Sequence, residues 1–320
     1  MIRIVTLLGR KSAAYQWSLP CMKTWGRIDG AHPTIHILSD GTLDGDFGAL
    51  VPGLEVTGDP GGQEEAVAEA LAPYPALRRM RAHDFTWRKI VDLAVCAPAG
   101  QGDQVLYLDT DVLVRRPVRL ELRADAPLTY LREDVPSYRG AWWAPFREPM
   151  VLSFNSGMVA VDPAVVDLAY LEQAVRRYFR STGVSWWSEQ MAWSLLAGRT
   201  RGRRIWSGGH ARVVCGFGMR TDAEMSADVV KHFARHRYMR TADEMRAFTG
   251  AAEVIHMAGM SKKFYEALLP GSDEGPPVPV PSRPDPLLGP LERALVAGRL
   301  AARRGPLAAV GRAVRSRFRS

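Results

Sequence analysis

Residues 104–117, QVLYLDTDVLVRRP, decide the fold of this chain. Residues 105–108 are apolar, β-branched or aromatic, and they predict a short buried strand. Asp109, Thr110 and Asp111 follow at the point where that strand would leave its sheet. Ligands of open α/β sheets gather at the carboxyl ends of strands, so this position predicts a binding site.

The two carboxylates predict a cation. Asp109 and Asp111 lie one residue apart, where charge repulsion and desolvation are costly unless a positive group lies between them. An oxygen-preferring divalent metal such as Mg²⁺ or Mn²⁺ is the usual solution, and it would neutralise a diphosphate. The alternative is a solvated Asp-Thr-Asp turn, because short acidic motifs recur by chance. The tripeptide alone leaves both interpretations open.

The composition indicates a folded enzyme-sized chain. Its 320 residues and 47% hydrophobic content suffice for one large α/β domain or two smaller ones. The three cysteines form no Cys-x-x-Cys pair, so we expect neither a disulfide framework nor a zinc knuckle. The first residues enter an apolar strand without a positive n-region, and no stretch is long enough to span a membrane. We therefore expect a cytoplasmic protein.

The positive charge is concentrated at the carboxyl end. The formal net charge is +8, and residues 291–320 hold eight arginines and one glutamate, a net +7. Subtraction leaves +1 for residues 1–290, so the body is nearly neutral and nucleic acid is not an expected partner. Leucine, valine and phenylalanine recur at helical spacing among these arginines. This tail is either disordered and solvated or an amphipathic anchor for an anionic membrane surface.

Strands and helices alternate along the rest of the chain. Strands are predicted at residues 2–8, 34–38, 54–57, 105–108, 128–131, 211–214 and 229–233. Residues 154–163 are predicted to form a polar turn feeding a buried strand, and residues 254–262 a strand running into a loop. Helices are predicted at residues 64–71, 77–96, 164–179 and 243–248, with another beginning after Ser188. The pattern predicts a single α/β domain over residues 1–270, with a mixed, mostly parallel central sheet flanked by helices. Residues 271–290 are proline-rich and are expected to form a linker.

Three further motifs accompany the acidic pair in order along the chain. They are FNSGMVAV at 154–161, SEQMAWS at 188–194 and HMAGMSK at 256–262. With LYLDTDVLV at 106–114, the ordered set resembles the retaining family-8 glycosyltransferases of GT-A fold. The resemblance covers the organisation of residues 1–270, and only these short stretches match closely.

The resemblance implies a metal and a nucleotide-sugar donor. Asp109, Asp111 and His256 would bind Mn²⁺ or Mg²⁺, and kinship alone implies that the donor is uridine-linked. Gly259 would let the backbone approach the β-phosphate, and Lys262 would pair with that phosphate as it leaves. Taken by itself, His256 is better explained as a core histidine bonded to the backbone.

The resemblance also assigns roles around the donor sugar. Asn155 would bind sugar hydroxyls, Gly157 would leave room for the donor ring, and Lys89 would lie near the nucleotide. Glu189 and Gln190 would stand near the reacting carbon, with Glu189 replacing the family's aspartate. The structural alternatives are a turn entering a strand, an exposed helical lysine, and a helix-start glutamate favoured by the helix dipole.

Two other functions compete with sugar transfer to a glycan or lipid-linked acceptor. A haloacid dehalogenase-type phosphatase also carries Asp-x-Asp after a strand, but it requires a later acidic pair that this sequence lacks. A non-catalytic nucleotide-sugar-binding protein would need no intact site, whereas both aspartates, His256 and Lys262 are present. Donor hydrolysis with Mn²⁺ separates the three.

Overall fold

A computed structural model gives the fold. It describes residues 2–9, 16–39, 55–57, 60–97, 103–132, 141, 143–179, 187–216, 241–269, 275–286, 289, 293–294 and 297–298. The predicted strand at 229–233 lies outside these residues, as does all but four positions of the basic tail. The tail's anchor role therefore stays a prediction.

Most predicted strands are present, with shifted ends. The strands are β1 Ile2–Leu8, β2 Ala31–Ser39, β3 Glu55–Thr57, β4 Val105–Leu108, β5 Val112–Val114, β6 Val118–Leu120, β7 Leu128–Arg132, β8 Phe154–Val161, β9 Arg204–Trp206, β10 Ala211–Gly216, β11 Val254–Gly259, β12 Val278–Val280 and β13 Ser282–Pro284. Eight of them form one sheet in the order β13-β9-β7-β8-β4-β1-β2-β3. A second sheet has the order β10-β11-β5, and β12 pairs with β6.

The large sheet is mixed, as predicted. Its parallel neighbours are β1 with β2, β1 with β4, β2 with β3, and β7 with β9. Its antiparallel neighbours are β4 with β8, β7 with β8, and β9 with β13. The predicted α/β class with a mostly parallel central sheet and flanking helices is confirmed.

Helices cover the sheets. They are α1 Ser18–Lys23, α2 Pro60–Ala70, α3 Pro75–His83, α4 Arg88–Cys96, α5 Ala144–Arg147, α6 Leu168–Tyr178, α7 Trp187–Arg199 and α8 Ala242–Thr249. Short 3-10 helices lie at Thr24–Arg27, Phe85–Trp87, Pro163–Val165 and Met260–Leu268. Among the described residues, no helix has the length and apolar character needed to cross a membrane.

The single helix predicted over residues 77–96 is wrong. The chain leaves the helical conformation at Asp84, which is extended and whose side chain accepts a hydrogen bond from the Thr86 backbone N–H. Aspartate competes for backbone donors in this way, so it begins a new helix instead of continuing the old one. The helix predicted at 164–179 is likewise shorter, because Asp167 caps α6 by accepting from Tyr170 N at 2.8 Å.

The expectation that residues 271–290 form a linker is wrong for β12 and β13. Val278 N donates to Pro117 O at 2.9 Å, and Val280 O accepts from Glu121 N at 3.1 Å. Pro279 and Pro281 alternate with these residues, at positions where the strand needs no N–H donor. Proline is tolerated at such edge positions.

The central strand contributes to two cores. Val105 and Tyr107 pack in one hydrophobic cluster, and Leu106 and Leu108 pack in another. This division follows from the strand period of two, which sends alternate side chains to opposite faces of a sheet. With both faces covered, β4 ends rigidly at Asp109.

Candidate active site

The acidic tripeptide lies where the chain passes from the large sheet to the small one. Asp109 N donates to Gly157 O at 2.8 Å, which extends the pairing of β4 with β8 by one residue. Val112 N then donates to Asp109 O at 2.9 Å and closes a tight turn into β5. The backbone of Asp109 is thereby held at both its N–H and its carbonyl group.

The pairing of β5 with β11 brings a histidine to the aspartates. His256 is opposite Val112 in this antiparallel pair, and Met257 N donates to Asp111 O at 3.0 Å. His256 Nε2 lies 3.2 Å from Asp111 Oδ1 and 3.8 Å from Asp109 Oδ2. The three side chains each offer one ligand atom, and these atoms all lie within 4.8 Å of one another.

Each aspartate also has a lysine partner. Lys89 Nζ lies 2.7 Å from a carboxylate oxygen of Asp109, and Lys262 Nζ donates to Asp111 Oδ2 at 2.8 Å. Burial opposes the charge of both lysines, but the neighbouring carboxylates outweigh burial and raise the pKa of each above its usual value. The repulsion that the sequence assigned to a metal is therefore already offset in part by lysines.

Burial and neighbouring opposite charges also compete at Asp111, but here the result is a lowered pKa. Burial favours the neutral acid, but Lys262 and His256 hold the pKa of Asp111 well below its usual value. The side chain is 7% exposed by residue, and its Oδ1 makes no hydrogen bond to any described residue. Asp111 is thus an ionised carboxylate with one unsatisfied oxygen directed toward His256.

Gly259 turns the chain so that Lys262 can reach the site. Its φ of 64° and ψ of −129° lie in a region that only glycine adopts without strain. The 3-10 helix Met260–Leu268 begins immediately afterwards and carries Lys262. The half-buried ring of Trp17 lies 5.2 Å from Lys262 Nζ, a contact that the sequence did not predict.

Glu189 and Gln190 are buried in the first turn of α7. Ser156 Oγ donates to Glu189 Oε2 at 3.1 Å, whereas Glu189 Oε1 and Gln190 Oε1 have no described hydrogen-bond partner. Burial raises the pKa of Glu189 to about 7, with Lys89 opposing the shift and Asp109 adding to it. Glu189 is therefore a carboxyl group that exchanges a proton near neutral pH.

The helix break at Asp84 fixes this turn of α7. Trp87 Nε1 donates to Ser188 Oγ at 2.8 Å, and Ser188 Oγ donates to Asp84 Oδ2 at 3.3 Å. The residue before Glu189 is thus bound to the segment between α3 and α4. Asp84 two residues before Thr86 is a local signal for the helix break, but apolar residues at helical spacing on both sides conceal it.

Asn155 and Gly157 both contact His256, and their expected roles at a donor sugar stay predictions. Asn155 Oδ1 lies 2.7 Å from His256 Nδ1, and the same oxygen accepts from Gly157 N at 3.0 Å. A Cβ atom on Gly157 would lie 2.3 Å from ring atoms of His256. The room that glycine leaves on this side is filled by the imidazole of His256.

Tyr107 is a further site residue that the sequence did not identify. Its hydroxyl donates to Asp109 Oδ1 at 2.8 Å. Two residues apart on an extended chain, Tyr107 and Asp109 point to the same face, which is the signal that would have predicted the contact. Burial and the charge of Asp109 raise the pKa of Tyr107, so the hydroxyl stays a donor.

The donor set fits a divalent cation. Two carboxylates and one imidazole nitrogen suit Mn²⁺ and Mg²⁺ chemically, with the nitrogen favouring Mn²⁺. The unsatisfied Asp111 Oδ1 and the neighbouring His256 Nε2 are both lone-pair atoms when the ring is neutral and protonated at Nδ1. Two such atoms at 3.2 Å repel each other unless a cation or a proton lies between them.

No protein-family model and no curated protein matches the chain. Mouse xyloside xylosyltransferase 1 in its apo form is a similar solved structure, at 11% identity and TM-score 0.49, covering 80% of this chain and 97% of that one. The galactosyltransferase LgtC, in complex with donor and acceptor sugar analogues, is 14% identical at TM-score 0.43, covering 83% and 95%. A glycosyltransferase involved in the glycosylation of the major capsid of PBCV-1 is 12% identical at TM-score 0.39, covering 83% and 98%. At these TM-scores we base no conclusion about activity on the similarity.

Proposed function

We propose that this protein is a metal-dependent glycosyltransferase that uses a nucleoside-diphosphate sugar, with a uridine diphosphate donor as the first candidate. The observation that carries the proposal is the cluster of Asp109, Asp111 and His256, flanked by Lys89 and Lys262. Its two aspartates and two lysines sum to zero charge. A divalent cation would leave the cluster positive, opposite in sign to a diphosphate.

Asp109, Asp111 and His256 would hold the metal, which would supply Lewis-acid stabilisation of the charge that develops on the leaving diphosphate. Lys262 lies at the edge of the cluster. The turn at Gly259 directs its segment toward Asp111. Its ammonium would donate to the leaving phosphate once the phosphate competes for it with Asp111. Lys89 holds Asp109 by a short ion pair.

Glu189 and Gln190 are the groups that we place near the reacting carbon. Both are buried in the first turn of α7, Glu189 interacts with Lys89 and Asp109, and each residue presents an oxygen without a described partner. Such oxygens are costly in the free protein and would be satisfied by hydroxyl groups of a bound sugar. We propose retention of the anomeric configuration from the family resemblance. Product stereochemistry measured by NMR tests it, and an inverted product would contradict retention while leaving the metal site intact.

Fewer observations bear on the class of acceptor. A glycan or a lipid-linked acceptor is expected, and the basic tail at 291–320 would bring the protein to anionic lipid in the second case. Deletion of the tail should abolish sedimentation with anionic liposomes at low salt and leave donor hydrolysis unchanged. A full-length protein that ignores such liposomes would remove the membrane from the proposal.

The decisive assay compares substrates on one preparation. With Mn²⁺ present, the protein should hydrolyse or transfer from a nucleoside-diphosphate sugar and should leave phosphomonoesters intact. A preference for phosphomonoesters would favour the phosphatase alternative, and thermal stabilisation by nucleotide sugars without turnover would indicate a binding protein. The same thermal-shift panel, run with several bases and sugars, identifies the donor.

A further inference from the structure

The polypeptide around Asn155 leaves the regular sheet next to the aspartates. β7 pairs with Val159 of β8 and then directly with Asn155, so residues 156–158 have no partner on β7. The same stretch remains attached to the central strand, because Gly157 O accepts from Asp109 N. A bulge of this kind re-aims the side chains that it contains. Here it turns Asn155 toward His256.

Hydrogen bonds define which way the Asn155 amide faces. The backbone N–H of Gly157 can only donate, so the side-chain atom that receives it at 3.0 Å is the amide oxygen. That oxygen lies 2.7 Å from His256 Nδ1, and an oxygen acceptor requires the proton on Nδ1. The neutral ring therefore carries its lone pair on Nε2, which is the nitrogen that faces Asp109 and Asp111.

The His256 ring packs directly against the backbone of Gly157. An added Cβ would lie 2.3 Å from both Cε1 and Nδ1 of His256, so no larger residue fits without displacing the ring. Asn155 is also the only asparagine among the 320 residues. This sequence makes its other turns without asparagine, which argues against a default turn residue here.

We infer that Asn155 is a positioning residue that holds His256 as the Nδ1–H tautomer and so presents Nε2 to a divalent cation, with Gly157 making room for the ring. Neutral imidazole in water favours the other tautomer, so the protein has to impose this one. Partners of a metal-binding histidine orient the ring and raise its basicity in this manner. The inference rests on the proposed function only for the identity of the cation.

The first test needs no metal. In the metal-free protein with ¹⁵N-labelled histidine, at a pH above the titration of the ring, the His256 signals should show a protonated Nδ1 and an unprotonated Nε2. His256→Gln assigns the signals by removing them. Asn155→Leu, of similar volume but without an acceptor, should move His256 toward the Nε2–H tautomer, while Asn155→Asp should retain Nδ1–H. An Nε2–H tautomer in the wild-type protein would overturn the inference, whether or not any variant folds.

The second test measures Mn²⁺ affinity by electron paramagnetic resonance. Asn155→Leu should weaken binding about 10- to 100-fold, the usual effect of removing a partner of a ligating histidine, and Asn155→Asp should stay within about threefold of wild type. In the His256→Gln background, Asn155→Leu should cause no further loss. Equal Mn²⁺ affinity of wild type and Asn155→Leu would overturn the inference. A wild-type protein that binds no Mn²⁺ would instead contradict the proposed function and leave the tautomer measurement standing.

Discussion

Helix α4 contributes to two clusters of buried charge that differ in how completely they are paired. Arg88 and Asp92 belong to one cluster, with Arg81 and Glu64. Arg81 donates to both oxygens of Asp92, at 2.6 and 2.8 Å, and to both oxygens of Glu64, at 2.9 Å each. Every nitrogen of the Arg81 guanidinium is thereby used within the protein.

The second cluster, around Lys89, leaves atoms unpaired. Asp111 Oδ1, Glu189 Oε1 and Gln190 Oε1 are buried and make no hydrogen bond to a described residue. A buried polar atom without a partner costs on the order of 1–3 kcal/mol, so such atoms persist where a ligand satisfies them. The fully paired cluster around Arg81 therefore stabilises the fold. The cluster around Lys89, with its unpaired oxygens, is suited to binding a ligand.

The largest expected effect on turnover comes from replacing Asp111, whose Oδ1 is unpaired. Asp111→Asn should lower donor turnover by about 10³-fold or more, since several kcal/mol of transition-state stabilisation depend on the metal that it would hold. The variant should stay folded with a lower melting temperature, because Lys262 loses its charged partner, so turnover is compared at a temperature where both proteins are folded. Asp125→Ala, an exposed aspartate paired with Arg123, is the matched control and should keep full activity. Near-normal turnover of Asp111→Asn would contradict the functional role that we assign to the cluster around Lys89.

The paired cluster should show the reverse behaviour. Asp92→Ala should destabilise the protein by about 3 kcal/mol, the lower end of the range for a broken buried ion pair, because Glu64 remains bound to Arg81. Urea unfolding measures the loss, and Asp125→Ala should change stability by less than about 1 kcal/mol. Mn²⁺ affinity of folded Asp92→Ala should equal that of wild type. A stable variant that loses Mn²⁺ would place Asp92 in the functional cluster.

Glu189 should make stability depend on pH. Its pKa is raised to about 7 in the folded protein, from 4.5, so between these values the folded state binds more protons than the unfolded state. Stability should then fall as pH rises from 4.5 to 7, by up to about 3 kcal/mol in metal-free protein. Glu189→Gln cannot ionise and should remove this part of the pH dependence. Identical stability profiles for wild type and variant would show that Glu189 ionises normally.

The smallest effect on turnover is expected at Lys262, which is already paired with Asp111. Lys262→Ala should lower turnover about 10- to 100-fold by withdrawing one charge-assisted hydrogen bond from the leaving phosphate. Lys23→Ala, an exposed lysine on α1, serves as the control. If the two variants turned over donor equally fast, Lys262 would belong only to the pairing of Asp111.

Local patterns were enough to predict the strand at 105–108 and the two aspartates at its end, because alternation and strand ends are properties of neighbouring residues. The nearness of His256 depends on the pairing of β5 with β11, about 140 residues apart, which periodicity cannot show; only the family resemblance indicated it. The break at Asp84 was missed because apolar residues continue at helical spacing on both sides. The sequence did not predict β12 and β13, because a proline-rich stretch does not show which of its N–H groups an edge strand would need.

The role of Asn155 was beyond the sequence for a different reason. Asn-Ser-Gly predicts a turn on propensity alone, and the resemblance assigned Asn155 to sugar hydroxyls. Only the bulge in β8 shows that its amide oxygen faces His256 Nδ1. A contact that depends on one register shift is not encoded in any short pattern.

We propose that sugar transfer at the Asp109, Asp111 and His256 cluster depends on a divalent cation. The most direct measurement follows release of the nucleoside diphosphate from a nucleotide sugar that stabilises the protein, first in excess chelator and then with Mn²⁺ added in steps. We predict no turnover in chelator, recovery that saturates as Mn²⁺ binds, and no recovery in Asp111→Asn. Undiminished turnover in excess chelator would contradict the claim.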